Sequence, residues 1–279
     1  MDDRQGAETA PILPGAETID LQEGGSDGVL LLHGFGDTPQ TLGLLARRLR
    51  KSRYSVLAPL LPGHGRSLEA FGKSQATEWI TAAKDAYVDM RASHTSVSVV
   101  GLSMGGALAV LLASEQHDIP ALILIAPYLG MPRALRVAAA THWLWGRLVG
   151  EVNARNLRSI RDPIEREKNL AYGVITGREL HELLTVVRRG RKSLSDVRAP
   201  ALIIQSKDDP RCSPAIAEFT LEMLGSEDKK LIWTEGAGHI ITVDYGRERV
   251  FAEVERWLSA HRSPGAAAAT RSKAAAERP

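Results

Sequence analysis

Short aliphatic runs alternate with longer amphipathic stretches along most of this chain, and no other feature restricts its fold as much. The runs read "GVLLLHG", "YSVLAPLLPG", "VSVVGLS", "ALILIAP", "ALIIQS" and "KLIWTEG", with a shorter one near "ETIDLQ". Between them lie "TPQTLGLLARRLRKS", "ATEWITAAKDAYVDMRAS", "GGALAVLLASEQ", "SPAIAEFTLEMLG" and "RERVFAEVERWLSAH", each with helical periodicity. Strands alternating with helices predict an α/β fold, a mostly parallel central sheet flanked by helices. The alternation breaks once, over 131–198, where helical patterns ("RALRVAAATHWLWGRLVG", "GRELHELLTVVRRGRKSL") follow one another without a strand-like run. An insertion of that size between two strands predicts a small helical cap over one edge of the sheet. The expected organisation is an N-terminal segment with a short first strand (1–26), a core in two parts (27–130 and 199–262) around the cap (131–198), and a disordered tail (263–279).

Composition narrows the function classes. The chain has 279 residues, 44% hydrophobic and 24% charged, as in an ordinary soluble globular protein. A formal net charge of +2 is too small to argue for nucleic acid, and no nucleic-acid partner is expected. The cluster "RRGRK" at 188–192 either attracts anions locally or is a solvated helix end, and the second reading is favoured. With Cys212 the single cysteine, neither an intrachain disulfide nor a cysteine zinc site can form. No apolar run approaches the roughly 20 residues that span a bilayer. The start, "MDDRQGAETAPILPG", lacks the basic leader and apolar stretch of a secretory signal, so a cytoplasmic protein is expected. The oligomeric state is left open.

In a parallel sheet the segments leaving the strands emerge along one edge, where ligands bind. Here those exits read "HGFGD", "LPGHG", "GLSMGG", "APYLG", "QSKDDP" and "EGAGH". One of them, Gly101-Leu102-Ser103-Met104-Gly105, is a G-x-S-x-G pattern set between a β-rich run and an Ala/Leu helix. In that context the serine sits on a sharp turn, with small residues two positions either side, and its Oγ is thrust out of the sheet. A serine hydroxyl needs a base to take its proton and a third group to orient the base. In this architecture the chain order is serine, then acid, then histidine. Of eight histidines, His239 lies directly after the last strand, on the glycine-bearing loop "TEGAGHIITVD", whereas six come earlier in the chain and His261 borders the tail. "ALIIQSKDDPRCSP" offers two acids, Asp208 and Asp209, which point different ways on leaving the strand. Asp209 is favoured; Asp208 stays open. An oxyanion needs preset donors, and the amides of Met104, after the serine, and Phe35, in "HGFGDT", are placed to supply them. His33 is expected to bond within its loop.

Taken together, "LLLHGFGDTP", "LAPLLPGHGRS", "GLSMGG", "IIQSKDDPRCSP" and "GAGHIITVD" resemble the α/β-hydrolase superfamily, in its bacterial carboxylesterase and monoacylglycerol lipase-like branch. The resemblance implies a Ser103–Asp209–His239 triad, an oxyanion hole at Phe35 and Met104, no cofactor and no metal, and an acyl pocket under the cap. The expected function is serine ester hydrolysis on short to medium acyl esters or monoacylglycerols. Other serine-triad chemistries (carbon–carbon bond hydrolysis, acyl transfer, peptide hydrolysis) and a non-catalytic receptor on the same fold are the alternatives. Dehalogenases and most epoxide hydrolases place an aspartate at the elbow, so Ser103 argues against both. In the cap, "THWLWGRLVG" makes Trp143, Trp145 and Leu148 candidate substrate-binding residues. The segment is either a helix packed on the body or a lip facing lipid, which limits expected lipid contact to the periphery.

Overall fold

Along the chain the strands are β1 (Ile19–Leu21), β2 (Asp27–Leu32), β3 (Ser55–Ala58), β4 (Ser96–Leu102), β5 (Leu122–Ile125), β6 (Val152–Asn153), β7 (Val174–Ile175), β8 (Ala201–Ser206) and β9 (Lys229–Thr234). The computed structural model describes residues 10–262. Seven strands form one sheet in the order β1-β3-β2-β4-β5-β8-β9. β1 runs antiparallel to β3 at the edge, and every other neighbour pair in this sheet is parallel. All seven strand expectations fall in this sheet. The run "YSVLAPLLPG" contributes only four residues, because Pro59 and Pro62 lack the N–H a ladder needs.

The helices are α1 (Gly43–Lys51), α2 (Leu68–Lys73), α3 (Ala76–Ser93), α4 (Met104–Glu115), α5 (Arg133–Ala140), α6 (His142–Val149), α7 (Pro163–Lys168), α8 (Gly177–Ser193), α9 (Pro214–Met223) and α10 (Arg247–Ala260). Alternate strand residues feed two cores. Leu30, Leu32, Val97, Val99, Leu122 and Ile203 pack with α3, α4, α8 and α9. Val29, Leu31, Val56, Val100, Ile123 and Ile204 pack with α1 and α10 on the other face. Burial on both faces is why these strands read as continuous aliphatic runs rather than as an apolar–polar alternation.

β5 and β8 are parallel neighbours, and such a pair needs a crossover between its strands. α8 supplies it. A Cβ built at Gly190 would lie 3.2 Å from the Ala107 Cβ, so α8 packs close on α4. The rest of the inserted stretch, 131–176, holds α5, α6, α7 and a two-stranded antiparallel hairpin of β6 and β7. That hairpin corrects the purely helical expectation for 131–198. Its strands are two residues each and sit among polar and glycine residues, so they carry no aliphatic run to read. α2, also unexpected, is a six-residue helix capped by Ser67, whose Oγ accepts from the Ala70 N–H at 3.1 Å. The tail expected over 263–279 lies outside the described residues. Among those described, no helix is long and apolar enough to cross a membrane.

Candidate active site

Ser103 stands between β4 and α4 with φ 56° and ψ −118°, a backbone conformation rarely open to a residue with a Cβ. Its neighbours explain the spacing of the pattern. A Cβ on Gly101 would fall 2.2 Å from the Gly105 carbonyl oxygen, and one on Gly105 only 2.0 Å from that of Leu32. Only glycine fits at either position. The turn is then clamped: the Ser103 N–H donates to Ile125 O, while Ser103 O accepts from the Gly106 and Tyr128 N–H groups.

The Ser103 Oγ so exposed lies 2.8 Å from His239 Nε2, and His239 Nδ1 lies 2.7 Å from Asp209 Oδ2. Sequence-distant residues leaving β4, β8 and β9 thus meet in one chain of contacts. The carboxylate is held on both oxygens: Oδ1 accepts from the Arg211 and Cys212 amides, and Oδ2 also accepts from Gln205 Nε2 at 2.9 Å. Burial alone would raise the Asp209 pKa. The His239 ring and these hydrogen bonds outweigh it and hold the carboxyl below its ordinary range. Asp208 turns the other way, accepts from the Gly236 N–H and pairs with Arg161 at 3.4 Å. It belongs to the surface, not to the imidazole.

Asp209, Cys212 and His239 bring three potential ligand atoms within 4.8 Å of one another, the one such group among the described residues. They suit a metal poorly. Two are already bonded to each other, and burial beside the Asp209 charge keeps the Cys212 thiol well above its ordinary pKa, hence protonated.

The "HGFGDT" turn closes the site from the β2 side. A Cβ on Gly34 would sit 3.4 Å from the Ser103 Cβ, and Gly36 takes φ +63°. The Phe35 ring is anchored between Phe71 and Trp79, with centroids 5.1 and 5.9 Å away, which fixes its main chain on the cavity wall. Met104 is the first residue of α4, where backbone N–H groups lack intrahelical partners. His33 does bond within its loop: Nδ1 meets Gly34 O at 2.9 Å, and Nε2 accepts from the Leu61 N–H at 3.1 Å. Burial lowers its pKa to about 4, so it is neutral and structural. Asp37 ends the turn with its carboxyl buried, one oxygen bound to Thr41 and the other without a partner among the described residues; burial raises its pKa to about 6.

Above Ser103 and His239 lies a cavity of about 840 Å³, walled by Tyr128, Leu135, Ala138, Trp145, Tyr172 and Leu180 among others. Of the three cap candidates only Trp145 reaches it. Its indole N–H donates to Ala138 O, and its ring lies against Gly177. Trp143 is 69% exposed and Leu148 87% exposed, and neither lines the cavity. The structure therefore does not bring these two to the cavity: Trp143, two residues from Trp145, is turned about 200° away from it around the helix, while Leu148, in the last turn of α6, is left exposed at the helix end.

A fully buried carboxylate, Asp244, escaped the sequence reading although "GHIITVD" contains it. It accepts four backbone N–H groups, from Gly238, Arg161, Asp162 and Tyr245, at 2.6–2.9 Å. Gly238 precedes His239, while Arg161 and Asp162 belong to the inserted segment. The His239 and Ile240 amides both donate to Ser159 O, and Arg211 donates to Ser159 Oγ and to Ala154 O. The insertion is therefore tied to both the histidine loop and the acid loop. The available signal was an isolated aspartate in an otherwise apolar stretch.

The sequence profile of the family described as "Hydrolase_4: Serine aminopeptidase, S33" matches residues 26–245. A thermostable monoacylglycerol lipase of Bacillus sp. (strain H-257) is 29% identical over 257 residues, 91% of this chain and 99% of its own. A carboxylesterase of Bacillus subtilis (strain 168) is 24% identical over 237 residues, covering 85% of this chain and 94% of its own. Among solved structures, one from the metagenome-derived lipolytic enzymes LipS and LipT superposes with a TM-score of 0.83 at 29% identity, over 90% of this chain and all (100%) of that one.

Proposed function

Since this chain belongs to the Hydrolase_4 family and is an α/β-hydrolase of the monoacylglycerol lipase and carboxylesterase branch, we propose that it hydrolyses esters through an acyl-enzyme on Ser103. The observation that carries this reading is the contact chain from Asp209 through His239 to Ser103, 2.7 and 2.8 Å long, opening into a cavity whose wall is more apolar than polar. His239 Nε2 takes the Ser103 proton as Oγ forms its bond to the ester carbonyl carbon. The carbonyl electron pair moves onto oxygen, where the Phe35 and Met104 amides and the positive end of α4 meet the charge. Collapse breaks the bond to the alkoxy oxygen, and the alcohol leaves with the proton from His239. Water, deprotonated by the same nitrogen, then releases the acid and restores Ser103.

The relatives named monoacylglycerol lipase and carboxylesterase support carboxylic esters and monoacylglycerols as the substrate class, and the bounded cavity of about 840 Å³ favours short to medium acyl chains among them. The test is labelling with a small fluorophosphonate followed by peptide mapping, beside turnover of p-nitrophenyl butyrate. Label is expected on Ser103 and absent in Ser103→Ala, whose turnover falls on the order of a million-fold. Label on another residue, or undiminished hydrolysis by the variant, refutes the mechanism.

A further inference from the structure

Behind the acid-bearing loop lies a second cleft, of about 1060 Å³, bounded by α5, α8 and the start of α9. Arg133, Arg136, Arg188, Arg191 and Lys192 all line it. Among the described residues the one carboxylate on its wall is Asp209, which is turned to His239. Elsewhere exposed cations find carboxylates, as Arg48 does at Glu255, Lys84 at Glu115 and Arg91 at Asp118. Here the side chains of Arg133, Arg136, Arg188 and Lys192 have no hydrogen-bonded or ion-paired partner among the described residues. A solvated helix end would let such residues diverge, whereas two helices turn theirs into one concavity.

Arg191 is held in place: its Nη1 donates to Leu129 O at 3.0 Å, and its guanidinium sits 3.8 Å above the Phe219 ring. Partial burial, and to a lesser degree Arg136 beside it, lower its pKa. Apart from Asp209, Arg211 and Ser213 at the acid-bearing loop, the remaining wall is apolar. Val137, which is 57% exposed, faces the same cleft as Ile216 and Phe219.

We propose that this cleft binds a single-chain anionic amphiphile, with its carboxylate or phosphate among the arginines and its alkyl chain along Val137, Ile216 and Phe219. Guanidinium groups suit such oxyanions through paired donors, and the adjacent apolar wall would exclude water from the chain. On the ester-hydrolase reading, the acid released from an acyl ester belongs to this class. A fatty-acid anion seated here lies against Pro210, next to Asp209, so the site is placed to respond to product.

Calorimetric titration of the full chain with dodecanoate and dodecyl phosphate, below their micellar concentrations, tests this beside inorganic phosphate and dodecyl maltoside. Both anionic amphiphiles are expected to bind more tightly than either control. Arg136→Glu/Arg188→Glu is expected to weaken both by at least about tenfold, by charge reversal. Val137→Asp is expected to weaken them too, while p-nitrophenyl butyrate turnover stays within about twofold in each folded variant. Affinity unchanged by the substitutions overturns the proposal, as does inorganic phosphate binding as tightly as dodecyl phosphate. Co-sedimentation with phosphatidylglycerol vesicles, without binding of the soluble amphiphiles, overturns it in favour of a membrane-contact surface. The titration needs no turnover: a chain that binds as expected yet hydrolyses no ester refutes the function proposed above and leaves the cleft standing.

Discussion

Adjacent aspartates leave β8 into different surroundings, and the structure separates what their side-by-side order in the sequence leaves open. Asp209 takes two backbone amides on the oxygen that His239 does not use, whereas Asp208 is spent on the Gly236 amide and Arg161. Asp209→Asn is therefore expected to lower ester turnover about 10⁴-fold, the effect of the same change in a serine-protease triad. Asp208→Asn should leave turnover within about threefold, since its partners are on the surface. Turnover on one soluble ester, with circular dichroism as the folding check, decides, and the reverse pattern would exchange the assignments. Asp37 gives a second test at this scale. Burial raises its pKa from 3.8 to about 6, so the folded state binds its proton more readily than the unfolded one. Its contribution to stability is then full below about pH 4 and is lost as pH rises through about 6, on the order of 3 kcal/mol by linkage. Asp37→Asn should raise the Tm at pH 8 and flatten its slope between pH 4 and 6; an unchanged slope would mean that Asp37 is not the titrating group. Neither the burial of Asp37 nor the exposure of Leu148 was legible in the sequence. Both depend on what surrounds a side chain in space, which residue type alone does not carry.

Elements whose chemistry is local were the legible ones. The β4 run, the two glycines about Ser103 and the helix after it form one continuous stretch, and the backbone clashes at Gly101 and Gly105 make the motif a steric requirement. The hairpin of β6 and β7 was not legible, because it is held by its own ladder and by neighbours far along the chain. Asp244 is the counterpart of that gap: one carboxylate ties the histidine loop to the inserted segment through Gly238, Arg161 and Asp162. Asparagine at this position keeps the shape, but its NH₂ would face amide donors. Asp244→Asn is therefore expected to lower kcat about 10²-fold by loosening the imidazole, with KM changed much less. Asp244→Ala, which leaves buried N–H groups unpaired, should also lose on the order of 3 kcal/mol of stability. If both variants lose stability while the folded fraction keeps normal kcat, Asp244 braces the insertion without positioning His239.

At the scale of the molecule, the sheet presents Ser103, Asp209 and His239 at one rim and the insertion closes over them, so on the proposed function substrate choice would fall to the space between. That space is about 840 Å³, and the inserted segment that closes it is hydrogen-bonded to the histidine loop and to Asp244 at Ser159, Arg161 and Asp162. An acyl chain entering it gains about 0.8 kcal/mol for each methylene buried, roughly fourfold in kcat/KM if the gain is realised in the transition state. Across p-nitrophenyl esters of increasing length, kcat/KM should climb on that scale through the short acids and then flatten or fall once the cavity is filled. A triacylglycerol has two further chains that this space leaves no room for, so emulsified triolein should be cleaved far more slowly than a medium-chain monoacylglycerol. Trp145 forms part of the wall and Trp143 does not, which gives the same argument a second reading at one helix. Trp145→Ala should shift the preferred length upward by enlarging the cavity, whereas Trp143→Ala and Leu148→Ala should leave soluble-ester kcat/KM within about twofold. Preferred cleavage of triolein, or a chain-length profile untouched by Trp145→Ala, would place the acyl chain outside this cavity.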